Sequence, residues 1–175
     1  MGILNLKNKT ANKFIKNQRK AASSNGEINV KVIRNVGVLS ELSLFQTYDF
    51  TKRLVEGLNL EIEDLKMILF DPSGKDVEPE RYRMCSEKDF GFHGKIKSEI
   101  LNKFVNRDFD LLINYCDPEL LFPRIIMLRS KAQMKVGFES ESNFFNDISI
   151  KTTGNDIDTF NEELVKYLHI LKLIK

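Results

Sequence analysis

Cysteine is scarce in this chain of 175 residues, where Cys85 and Cys116 stand far apart, with no C-x-x-C spacing and no histidine pair nearby. Neither a zinc site nor a disulfide framework is indicated, and no metal or other cofactor is expected. Two buried free thiols suit a reducing compartment. Long apolar runs are also missing: no window approaches the roughly 20 residues of a membrane span, and the N-terminus lacks an apolar stretch of signal-peptide length. A soluble, cytoplasmic protein is expected. Leu6 stands where a myristoylation signal after Gly2 requires Ser or Thr, which excludes that anchor.

The glycine patterns that bring a backbone up to a phosphate are absent. There is no G-x-G-x-x-G after the first strand and no G-x-x-x-x-G-K-[ST] anywhere, so neither common nucleotide site is indicated. G-x-S-x-G is missing too, leaving a hydrolase triad without an anchor. Acidic residues are missing from residues 1–20, which hold Lys7, Lys9, Lys13, Lys16, Arg19 and Lys20; against an overall charge of +2 the remaining chain is net −4. Such a split marks a basic arm apart from an acidic body.

What is present suits an ordinary globular domain: 42% hydrophobic residues, thirteen of them Phe, and 30% charged. A chain of this length buries about 70% of the surface that its unfolded form exposes, enough for a core without staples. Residues 4–22 lack Gly and Pro, and the breaker run Ser23, Ser24, Asn25, Gly26 follows. At about 100° per residue, Lys9, Lys13, Lys16 and Lys20 share a sector of roughly 60°, with Ile3, Leu4, Ala11, Phe14, Ile15 and Ala21 on the other side. An amphipathic helix with a lysine ridge is expected. Residues 1–26 then form the arm, and 27–175 a single domain.

Strands are predicted within 28–39, with 36–39 the core piece, at 65–70, at 110–115 and at 135–138. A short strand near 88–92 and an edge strand at 147–150 complete the set. Ser43 with Gln46 three residues on reads as a capping box for a helix over 43–58, with Leu44, Tyr48, Val55 and Leu58 toward the sheet. Helical spacing recurs from Ile96 to Val105, over 119–130 with Pro123 in the first turns, and over 156–173 behind an Asn155 cap. Apolar strands alternating with helices predict an α/β, doubly wound, mainly parallel sheet, Rossmann-like or flavodoxin-like, preceded by the basic helix.

Ligands of such sheets bind beyond the carboxyl ends of the strands. That rule singles out Ser40 and Glu41, Asp71 and Ser73, then Asn114, Cys116 and Asp117. Thr152, Thr153, Gly154 and Asn155 come from the loop before the last helix. His93, flanked by Gly91 and Gly94, is the better placed of two histidines to act as acid or base, His169 falling within the last helix. Asp117 before Pro118 reads as a substrate-orienting carboxylate or as an N-cap. The lysine ridge admits three readings: an RNA or other acidic partner, an anionic membrane with the apolar side inserted, or a solvated face of a helix packed through Phe14 and Ile15.

Two stretches, Phe109-Asp110-Leu111-Leu112-Ile113-Asn114 and Ser130-Lys131-Ala132-Gln133-Met134-Lys135-Val136-Gly137-Phe138, carry a resemblance. The chain from Arg34 onward resembles an uncharacterised family of small Bacteroidetes proteins with a basic N-terminal segment, an F-D-L-L-I-[ND] strand and a K-[AV]-x-x-K-V-G strand. The same stretches look more distantly like one Rossmann-like half of heptosyltransferase-type glycosyltransferases. Those enzymes have two such domains and hold the nucleotide sugar mainly through the second, whereas this chain has room for one. The resemblance therefore implies a binding module on a borrowed fold. The expected function is non-enzymatic RNA binding, ribosome-associated or on another RNA-containing particle, through Lys9, Lys13, Lys16, Arg19 and Lys20. The alternative is a glycosyltransferase-like or nucleotide-binding enzyme, possibly degenerate, using the strand-end cleft.

Overall fold

The computed structural model describes residues 2–21, 30–48, 50–74, 83–152 and 156–174. Six strands form one sheet: β1 (Val36–Glu41), β2 (Leu65–Phe70), β3 (Arg83–Cys85), β4 (Leu111–Asn114), β5 (Met134–Phe138) and β6 (Ile148–Ile150). Their order is β3-β2-β1-β4-β5-β6, and every pairing is parallel. This is the doubly wound Rossmann order, with the reversal between β1 and β4.

The strands read as unbroken apolar runs because both faces are covered. Val36, Val38, Leu111 and Ile113 point to one side, where α2 (Leu42–Thr47), α3 (Thr51–Leu58) and α6 (Ile157–Ile170) close the core with Phe50, Leu54 and Phe160. Leu39, Ile68, Phe70 and Leu112 point to the other, under α1 (Ile3–Ala21), α4 (Glu99–Val105) and α5 (Leu121–Arg129).

The strand expected within 28–39 is β1, which starts at the expected core piece, Val36; residues 30–35 lead into it, held where Asp110 Oδ2 accepts the Arg34 and Asn35 N–H groups, each at 2.9 Å. Two other elements depart from the expectations. The helix expected over 43–58 is two helices. Its cap is Glu41 without a side-chain bond, not Ser43, and the break lets Phe50 turn fully into the core. The short strand near 88–92 lies earlier, at β3, while Phe90 makes only an isolated antiparallel bridge with Ile96. The Asn155 cap lies outside the described residues, and Asp156 caps α6 by accepting the Thr159 N–H at 3.0 Å.

The basic helix lies across the body. Lys7 Nζ donates to the Glu87 carbonyl past β3 at 2.7 Å, and Arg19 at the other end lies over the Phe144 ring, in the segment between β5 and β6. Between them Ala11 and Ile15 are buried against α5 and the 3-10 turn Phe92–Gly94.

Candidate functional site

At the reversal of strand order, β1 runs straight into α2 with no intervening loop and no glycine. The glycine turn that brings a backbone up to a phosphate in this fold is therefore missing there. The two strand ends are tied together: Tyr115 N–H donates to the Leu39 carbonyl at 2.8 Å, and Asp117 N–H to Glu41 Oε1 at 2.8 Å. Phe50 and Tyr115, both fully buried, meet at 4.4 Å between ring centroids, and Tyr115 also packs on Phe160. The Tyr115 hydroxyl donates to Asn161 Oδ1 inside this aromatic cluster, and burial raises its pKa. On this face the crevice that serves as a ligand site in related sheets is occupied by side chains.

The polar residues at the strand ends serve local turns. Asn114 Oδ1 accepts the Cys116 N–H at 3.0 Å, Asp117 Oδ1 accepts the Glu119 N–H at 2.8 Å, and Asp71 Oδ1 accepts both the N–H and the hydroxyl of Ser73. These are the short backbone bonds that Asx residues favour after strands. Asp117 closes the turn ahead of α5 without capping it, since the N-cap residue is Leu120. Ser40 is wholly buried, its hydroxyl directed to the Glu41 carbonyl. Thr153, Gly154 and Asn155 lie outside the described residues, and Thr152 is part-buried after β6. Burial pushes the thiols of Cys85 and Cys116 up. Among the described residues no group of three or more His, Cys, Asp or Glu could hold a metal ion.

His93 stands apart from the other strand-end candidates. It lies under α1, exposed, in the left-handed region at φ 57°, with Gly94 beside it at φ 63°. Its N–H donates to Thr10 Oγ1 at 3.0 Å, while Arg129 donates from Nε to the Gly94 carbonyl at 2.7 Å and from Nη2 to the His93 carbonyl. A Cβ on Gly94 would come within 3.1 Å of Ile125 and 3.4 Å of Phe14. The Gly-Phe-His-Gly run thus seats α1 on α5, a role signalled in the sequence only by its paired glycines.

The ridge faces the other way. Lys9, Lys13, Lys16 and Lys20 are exposed, on the side of α1 roughly opposite the buried Ala11 and Ile15. Lys13, Lys16 and Lys20 make no ion pair among the described residues, and Arg19 flanks them over Phe144. With its central apolar residues spent on α5, the helix has no Ala11–Ile15 face left to insert into a bilayer. No helix among the described residues is long and apolar enough to cross a membrane.

Two hollows open away from the carboxyl ends of the strands. One, of about 770 Å³, lies beside the amino half of β2 and is lined by Lys52, Lys66, Arg83, Lys103 and Arg107, of which Lys52 and Lys103 pair with Glu56 and Glu99. The other, of about 540 Å³, lies between α1, α4 and α5. Past β5, Arg124 Nε, Asn143 Oδ1 and both amide atoms of Asn146 are buried without a hydrogen-bond partner among the described residues.

Fold and site together define a doubly wound α/β domain whose reversal crevice is filled by aromatic rings and whose outer face carries a cationic helix. Residues 7–171 match the model of a family of unknown function (DUF6913), and the chain belongs to that family. Neither a curated protein nor a solved structure matches it.

Proposed function

We propose that the protein is a non-enzymatic binding module of the cytosol that joins RNA, in the ribosome or another RNA-containing particle, through the outward face of α1. The observation that carries this reading is the orientation of the ridge: Lys9, Lys13, Lys16 and Lys20 point away from the body, while Ala11 and Ile15 anchor the same helix to it. Cations on one rigid ridge follow a phosphate backbone without reading bases, so the expected binding is salt-dependent and indifferent to sequence.

If Lys9, Lys13, Lys16, Arg19 and Lys20 neutralise about five phosphates, log K falls with log salt at a slope of roughly −3.5 to −4.5. Replacing the four ridge lysines by Gln retains helix propensity and flattens that slope by about three units. The test is recovery of the tagged protein from its own cells at low and moderate salt, with sequencing of the co-purifying RNA and titration of the wild type and the Gln variant. Recovery of no RNA at either salt, with the variant indistinguishable from wild type, overturns the reading.

A further inference from the structure

The hollow between α1, α4 and α5 is lined by apolar, amide and cationic side chains. Four apolar residues, Phe14, Ile96, Val105 and Leu128, are among those that line it, and no carboxylate does. Its polar lining comprises two cations, Lys95 and Arg129, and three amides, Gln18, Asn102 and Asn106. Phe14 and Gln18 are four residues apart and so share one face of α1, about 100° round the helix from Lys13, the nearest lysine of the ridge, so that an RNA reaching both must pass round the helix.

The side chains around the opening keep hydrogen-bonding capacity to spare. Gln18 and Lys95 bond to nothing through their side chains among the described residues. Asn102 spends its Nδ2 on the Ile96 carbonyl at 3.3 Å and Asn106 its Nδ2 on the Asn102 carbonyl at 2.9 Å, which leaves both Oδ1 acceptors. Arg129 is committed differently, over the Phe14 ring at 4.6 Å and bonded to Gly94, and it stiffens the wall. Apolar side chains that include the Phe14 ring, amide donors and acceptors, and one uncommitted ammonium match the three parts of a nucleotide: a flat ring, its polar edge and its phosphate.

We propose that this hollow seats one unpaired nucleotide of the RNA whose backbone lies along the α1 ridge, an inference that rests on the RNA reading above. A base held in a duplex keeps its edge paired and its faces stacked, so only a single strand, a bulge or an end can supply it. The ridge then provides affinity for any RNA, and the hollow provides preference for single strands.

The test measures binding of a short single-stranded RNA and of a duplex of the same length to the full chain, wild type and a Gln18→Ala, Lys95→Gln double variant. Both positions are exposed, and an unchanged thermal transition verifies the fold. Wild type is expected to favour the single strand, and the double variant to lose about tenfold on it, the scale of one charge-assisted hydrogen bond. Its salt slope on the single strand flattens by about one unit, and its duplex affinity stays as in wild type. Unchanged single-strand binding by the double variant, or an equal loss on strand and duplex, overturns the nucleotide seat while leaving the ridge intact. Absence of binding to either RNA by wild type overturns the RNA reading, and the seat with it.

Discussion

Gly37 occupies the middle of β1 for a steric reason. A Cβ there would lie 2.8 Å from Phe109 Cε2 and 3.0 Å from Leu112 Cδ1, on the face where Phe109 packs against Phe104. Both neighbours are fully buried, so neither can swing out. Gly37→Ala is expected to cost about 1–3 kcal/mol as an overpacked core, read as a lower urea midpoint with an unchanged slope. Nothing in the sequence around Gly37 reports this, because the clash comes from residues more than seventy positions away. The strand-end residues were legible in the opposite sense. Asn114, Asp117 and Asp71 were recognisable as polar groups after strands, but whether each faced a ligand or its own backbone depended on rotamers, and the local bonds claimed them.

Helix α1 tests how far an element can be separated from the body. None of its residues pairs in the sheet, and its burial rests on Ala11 and Ile15 against α5 and the 92–94 turn. Deletion of residues 1–22 is therefore expected to leave a cooperative thermal transition at a lower temperature, measured by calorimetry. Loss of the transition would make the helix an integral part of the core. The helical period made α1 readable from sequence, since its lysines and its apolar residues fall on opposite sides whatever the helix touches. The interruption between α2 and α3 was not readable, because a capping box and good helical spacing run through it. There the gain from burying Phe50 against Tyr115 outweighs local preference.

Across the whole molecule, the order β3-β2-β1-β4-β5-β6 brings the ends of β1 and β4 together, and aromatic side chains then fill what the topology opens. Nucleotides and nucleotide sugars at millimolar concentration are accordingly expected to leave the melting temperature unchanged. A rise with ligand concentration would mean that Phe50 and Tyr115 move aside for a bound molecule. The sequence by itself determined the fold class, four of the six strands nearly to the residue, and the cationic helix, because hydrophobic period and charge are local properties of the chain. Only the tertiary structure decided which way the lysine ridge faces, that Phe50 and Tyr115 close the crevice, and that Phe14, Gln18 and Lys95 border one hollow. Those outcomes depend on contacts between residues far apart in the chain, which no local pattern encodes.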